Sequence, residues 1–234
     1  MVDKVLAALE KYARPEAVDF LGGFFKTHKG GYGEGDVFIG VRVPPTRKVA
    51  KEFKDISLTD IEKLLESPIH EMRLCAVIIM TLQVKKASDT AHKALLDLYL
   101  RRTDCINNWD IVDVSCRDIV GGWVLKHPED GKILTELAKS NDLWERRIAM
   151  VSTWTLIRAN ELDVAYLIAE RLLSDKHDLI HKAVGWMLRE MGDKDPERLR
   201  VFLSVHIQEI SRTALRYAIE HMSSEERQYF ITLR

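Results

Sequence analysis

The chain has 234 residues, enough for one substantial core without disulfide support, and its 46% hydrophobic and 30% charged residues describe a soluble protein. No apolar run approaches the roughly 18 residues of a transmembrane helix, and three cysteines with no close pair, Cys75, Cys105 and Cys116, indicate neither a disulfide framework nor a thiolate zinc site. With 35 basic against 36 acidic residues and a sequence pI near 6.7, total charge exerts no pull toward polyanions, so any nucleic-acid surface must come from where the charges lie.

The first segment, MVDKVLAALEKYA, intersperses acids and lysines among apolar residues. That pattern predicts an amphipathic helix rather than a secretory signal, and a cytoplasmic location is expected. A break at Arg14-Pro15 precedes a glycine-rich stretch from Lys29 to Gly35. It lacks the Gly-Lys-Ser/Thr and the strand-loop-helix setting of a nucleotide loop, and reads as a flexible connection. Val37-Phe38-Ile39 and Val41-Arg42-Val43, around Gly40, are the only pieces with strand character. Breaks at Pro44-Pro45, Ser67-Pro68, His127-Pro128, Gly192 and Asp195-Pro196 divide the remainder into about a dozen segments of helical period and length. Ser57 followed by Asp60 resembles a helix N-cap, and Pro128 and Pro196 suit first helical positions. His177 and His181 have a zinc-compatible spacing, but no third ligand stands out and no metal is expected. Ser223 to Tyr229 reads as a short closing helix.

Several of these segments resemble one another. Aligning His70-Glu-Met-Arg73, Trp109-Asp-Ile-Val-Asp113, Trp144-Glu-Arg-Arg147 and Leu179-Ile-His-Lys182 puts Arg73, Asp113, Arg147 and Lys182 in register, with separations of 40, 34 and 35 residues by subtraction. A helix pair with its loops fills such a period, so the expected fold is all-α: an α-solenoid forming one domain over 1–234, with equivalent positions in a row on its concave side. The row is Arg73, Asp113, Arg147 and Lys182, continued by Arg212 or Arg216.

Around Asp113 the apolar stripe is Val112, Cys116, Ile119 and Trp123, and Trp109, Asp113 and Arg117 form a ridge at its margin. In the helix near His177 the stripe is Ile180, Val184, Met187 and Met191, with Lys182, Trp186 and Arg189 on another side. Trp123 and Trp154 are assigned to the core. Cations interspersed with indoles suit a phosphate backbone and its sugars and bases, and Lys182 reads as a phosphate contact rather than a Schiff-base nucleophile. A carboxylate does not suit phosphates, unless positive charge develops beside it, as at the sugar when an N-glycosidic bond breaks. If the leaving purine is alkylated at N3 or N7 it already carries positive charge, and one acid is enough. Asp110 fits the ordinary role of an acid in a first helical turn, whereas for Asp113 a structural and a catalytic role both remain open on periodicity alone.

Four stretches carry a family resemblance: Tyr32-Gly-Glu-Gly-Asp-Val-Phe-Ile-Gly-Val-Arg-Val-Pro44; Asn108-Trp109-Asp110-Ile-Val-Asp113 with Leu125-Lys-His-Pro128; Asp142-Leu-Trp144-Glu-Arg-Arg147; and Lys182-Ala-Val-Gly-Trp186-Met-Leu-Arg-Glu190. In these the chain resembles the HEAT-like DNA alkylation repair proteins, the AlkD-type alkylpurine DNA glycosylases. The resemblance implies a right-handed α-α superhelix of about six HEAT-like antiparallel helix pairs that grips duplex DNA in a concave cleft. It also implies hydrolysis of the glycosidic bond of N3- or N7-alkylated purines without a metal or cofactor. By matching motifs, Asp113 corresponds to the catalytic aspartate, Trp109 and Trp186 to the indoles that embrace the lesion nucleotide's backbone, and Arg147 to the cation beside them. Lys182, Arg189, Arg73, Arg212 and Arg216 are the further expected DNA contacts. The expected partner is double-stranded DNA, bound by a monomer with no membrane involved. The alternative is a non-catalytic module that uses the same concavity for branched or damaged DNA or for a protein partner.

Overall fold

A computed structural model of the chain describes residues 1–234, and helices account for nearly all of its regular structure. The chain divides into two compact units, residues 1–119 and 120–234. No helix is long and apolar enough to cross a membrane.

The first unit contains α1 (Val2–Glu10), α2 (Val18–Phe24), α3 (Val43–Glu52), α4 (Leu58–Leu65), α5 (His70–Val84), α6 (Asp89–Arg101) and α7 (Trp109–Cys116). Its core forms around α5, which packs against α3, α4, α6 and α7. The α5 sequence, HEMRLCAVIIMTLQV, is apolar on all sides beyond its first turn, and every residue from His70 to Thr81 is buried, as a helix without a polar face must be.

The second unit contains α8 (Gly122–Lys126), α9 (Lys132–Ala138), α10 (Leu143–Arg158), α11 (Asp163–Leu172), α12 (Asp178–Gly192), α13 (Pro196–Val205), α14 (Arg212–Ala218) and α15 (Ser224–Leu233). Here α10 and α12 are central: α10 packs on α9, α11 and α12, and α12 packs closely on α14. Between α7 and α8 the chain makes one π-helical turn, residues 117–121.

Polar residues start most of the helices. Ser57, Ser88, Asp142, Asp195, Ser211 and Ser223 each accept a first-turn amide, and Ser223 completes a reciprocal capping box with Glu226. Each such cap stabilises its helix by about 1 kcal/mol. Pro128 and Pro196 both open helical turns, as their missing N–H allows.

The break at Pro44-Pro45 is the start of α3, whose first turn holds both prolines behind an extended Arg42. Two expectations are corrected. The two strand-like pieces reduce to one isolated parallel bridge, in which Val37 N donates to Pro68 O at 3.1 Å and His70 N to Val37 O at 2.8 Å. Val43 instead opens α3, and Gly40 turns the chain between them at φ +84°, where a side chain would meet the Arg14 carbonyl. Trp154 is not in the core. It is half-buried, with the Arg158 guanidinium 5.6 Å above its ring.

Candidate functional site

The start of α7 is built on an asparagine in an unusual backbone conformation. Asn108 is fully buried at φ +79°, and its Oδ1 accepts the N–H of Trp109 at 2.9 Å, which caps the helix. With ψ at 143° the residue lies outside the left-handed helical well, a strained backbone held in place by the buried contacts of the side chain. Asp110 therefore does not cap α7. Its Oδ2 lies 2.8 Å from Nε2 of His70, the first residue of α5.

The other nitrogen of His70, Nδ1, lies 3.0 Å from Asp36 Oδ2. Asp36 also receives Arg73 Nη2 at 2.5 Å, Asn107 Nδ2 at 2.9 Å and Asn108 Nδ2 at 3.4 Å. Burial disfavours charge on Asp36, but His70 and Arg73 outweigh it and hold the carboxyl below its ordinary value. Burial likewise opposes charge on His70, and the hydrogen bonds to Asp110 and Asp36 overcome it, raising the imidazole to about 9. The His70 ring stacks on Phe38 at 4.5 Å between centroids and lies 5.1 Å from Phe25, which in turn stacks on Trp109 at 5.3 Å. Phe24 meets the same indole edge-on at 5.9 Å. The Trp109 ring is thus half-buried on an aromatic pile rather than loose on a helix.

Asp113 lies one turn beyond Trp109, half-buried, while Val112, Cys116, Ile119 and Trp123 are buried as their spacing requires. Behind it, Tyr99 Oη and Ser115 Oγ share a buried hydrogen bond of 2.8 Å. Burial first, then the charges of Cys116 and Asp113, push the Tyr99 hydroxyl well above its ordinary value, so it stays neutral. Arg117 Nε donates to the Asp113 carbonyl at 3.0 Å, and His92 Nε2 lies 2.8 Å from the Ile119 carbonyl in the π turn.

In the second unit, Lys182, Trp186 and Arg189 are half-buried on one side of α12, opposite the buried Ile180, Val184, Met187 and Met191. Lys182 Nζ pairs with Asp178 at 2.8 Å, Trp186 Nε1 donates to Glu190 at 3.0 Å, and Arg189 pairs with Glu220. Arg212 and Arg216, on α14, are exposed. His177 Nδ1 accepts the Leu179 N–H, and His181 Nε2 bonds the Asp175 carbonyl at 2.5 Å, so backbone groups occupy both of these ring nitrogens.

Two cations expected on an open row are buried. Arg73 and Arg147 are each 5% exposed. Arg73 is bound by Asp36 and by the Ser67 carbonyl at 2.8 Å, and Arg147 Nη1 donates to the Leu179 carbonyl at 2.5 Å. The register also shifts. Asp113, Arg147, Lys182 and Arg216 are each the fifth residue of their helices, but Arg73 is the fourth residue of α5. Its counterparts are Arg146 and His181: Arg73 reaches back to Ser67 O, Arg146 Nη1 to Ser140 O at 3.0 Å and His181 to Asp175 O, six residues back in every case.

The polar centre of Asp36, His70 and Asp110 is not evident from the amino-acid pattern. Its links span 34 and 40 residues, but Asp110 is the second residue of α7 where His70 is the first of α5, and Asp36 lies outside the helices, so no repeat pattern pairs them.

The sequence matches the family model described as DNA alkylation repair enzyme over residues 5–222. No curated protein sequence matches. Among solved structures, a predicted DNA alkylation repair enzyme from Enterococcus faecalis is 20% identical, with a TM-score of 0.72 over 91% of this chain and 97% of that one. AlkD2 from Streptococcus mutans is 20% identical, with a TM-score of 0.57 over 89% and 99% of the two chains. The smu.31 protein of Streptococcus mutans UA159 is 21% identical, with a TM-score of 0.56 over 77% and 93%. At these identities the structural likeness concerns the fold.

Proposed function

The chain belongs to the DNA alkylation repair enzyme family, and on that premise we propose that it is a monofunctional DNA glycosylase. It hydrolyses the N-glycosidic bond of N3- and N7-alkylated purines in duplex DNA, acting as a cytoplasmic monomer without metal or cofactor. The observation that carries this reading is the division of labour at the start of α7. Asn108 caps the helix and Asp110 bonds His70, while Asp113 stands half-buried one turn from the half-buried Trp109.

In this reaction the bond from the sugar C1′ to the purine nitrogen breaks, and its electron pair leaves with the base. The alkyl group has already made the base cationic, so it departs neutral and needs no general acid. Positive charge develops on the sugar, and the Asp113 carboxylate stabilises it and orients the water whose oxygen bonds C1′; the water's proton passes to Asp113 or to solvent. Opposite charges at about 4 Å are worth roughly 4 kcal/mol at an effective dielectric of 20, or about three decades of rate if realised in the transition state. Trp109 contributes a flat apolar surface to the lesion nucleotide. In the second unit, Trp186 plays the same part, while Lys182, Arg189, Arg212 and Arg216 contact phosphates. Arg147, buried against the start of α12, completes the set of four residues that the family likeness assigns to the lesion.

The test is release of 7-methylguanine and 3-methyladenine from methylated duplex DNA. Wild type should release both. Asp113→Asn should lose about three decades of rate while binding DNA as well as before. Equal release by the two proteins removes Asp113 from the mechanism, and no release by either favours a binding module.

A further inference from the structure

We propose that His70 is a positioning residue for this reaction: as a doubly donating imidazolium between Asp36 and Asp110, it fixes the start of α7 and so sets where Trp109 and Asp113 stand. The inference rests on the glycosylase reading and deepens it.

The argument begins with proton counting. His70 is 1% exposed, and both of its ring nitrogens lie within 3.0 Å of carboxylate oxygens. A neutral imidazole has a single N–H, so it would satisfy one carboxylate and turn a lone pair toward the other. Only the imidazolium donates to both. The surrounding charges agree. Asp36 faces it from the loop between α2 and α3 and Asp110 from α7, while Arg73, on α5 itself, is drawn to the far oxygen of Asp36. Glu71, the next residue of α5, is turned away to the backbone amides of Ile39, Gly40 and Val41. Asn107 and Asn108, which also bond Asp36, are neutral.

The bridge joins three elements at one point. Asp36 ties the loop to α5 through His70 and Arg73, and to α7 through Asn107 and Asn108. His70 adds the direct link to Asp110, and its ring supports Phe25, on which Trp109 is stacked. Removing one proton from His70 breaks one of its two links. Either the start of α7 loses its tie to α5, or the loop that Asn107 and Asn108 bond loses part of its own tie to α5, and Asp113 follows one turn later.

The full-length protein with isotope-labelled histidine gives a direct readout by NMR. His70 should remain an imidazolium through pH 8 and lose its proton near pH 9. Single-turnover release from methylated duplex, at saturating protein and against a protein-free control, should fall across the same range, by about tenfold one pH unit above the midpoint. Asp110→Asn removes one of the two flanking charges, so the NMR midpoint and the alkaline fall should move together to lower pH. His70→Gln, which offers no titrating proton, should release slowly with no alkaline fall, while circular dichroism at pH 7 reports whether it is folded. If that variant does not fold, the wild-type and Asp110→Asn profiles still decide the matter. A neutral His70 at pH 7 overturns the proposal, as does release that stays level while His70 loses its proton. If wild type releases no alkylpurine at any pH, the glycosylase reading is what fails; the NMR titration still reports separately on the imidazolium.

Discussion

The buried carboxylate of Glu71 and the backbone N–H of Gly40 are joined at 2.9 Å, and the same oxygen receives Val41 N at 3.0 Å and Ile39 N at 3.1 Å. Three successive amides of the loop thus converge on one side chain of α5. Glu71→Gln would retain the shape but replace one acceptor oxygen with an NH2 group facing donors. A loss on the order of 3 kcal/mol is expected. Urea unfolding should show it as a lower midpoint with an unchanged slope.

Stability should also depend on pH at both ends. His70 is raised from 6.5 to about 9, so its contribution is complete below about pH 6.5 and is lost as pH rises through about 9. Its size is on the order of 3 kcal/mol. Asp36 is lowered from 3.8, so its contribution is present above that pH and is lost on further acidification. Thermal unfolding between pH 4 and 10 should therefore be most resistant near pH 4–6.5 with respect to these two groups, and His70→Gln should flatten the alkaline side. An alkaline side unchanged in that variant would contradict this account.

In the second unit, Gly185 lets α12 and α14 approach closely. A methyl group there would lie 2.4 Å from the Ala214 carbonyl oxygen and 2.6 Å from Tyr217 Cβ. Alanine is favoured over glycine in a helix by about 1 kcal/mol, so helix propensity alone predicts that Gly185→Ala stabilises. The close approach predicts the reverse, a lower Tm with loss of about 1–3 kcal/mol from overpacking.

Arg212 and Arg216 are exposed on α14. If both meet phosphates, the paired change Arg212→Gln and Arg216→Gln should weaken duplex binding without regard to sequence. It should also reduce the slope of log K against log salt by about two. Titration at several salt concentrations measures this, and an unchanged slope takes both residues off the DNA surface.

Legibility followed periodicity. The stripes Val112-Cys116-Ile119-Trp123 and Ile180-Val184-Met187-Met191 are buried as their spacing requires, because a helix face repeats every 3.6 residues and needs no knowledge of its partner. The cap at Ser57 and the openings at Pro128 and Pro196 were equally local. Pro44-Pro45 was ambiguous because proline both ends helices and begins them. Arg73 lay one residue out of register because sequence similarity cannot see where a helix begins, whereas its bond to the Ser67 carbonyl can. Asp110 was legible as an acid in a first turn but not as the partner of His70, since a side-chain bond across 40 residues leaves no periodic trace. Of the candidate site, the separate ridges of α7 and α12 were legible; the aromatic pile beneath Trp109 was not, because Phe25 and Phe38 lie in a loop without a repeat.

The six-residue reach from Arg73 to Ser67, from Arg146 to Ser140 and from His181 to Asp175 closes each of these helices onto the turn immediately before it. Two of the same side chains also reach an adjoining segment, Arg73 to Asp36 at 2.5 Å and Arg146 to Asp175 at 2.6 Å. A segment joined in this way cannot change its cation without leaving the neighbouring acid short of a partner.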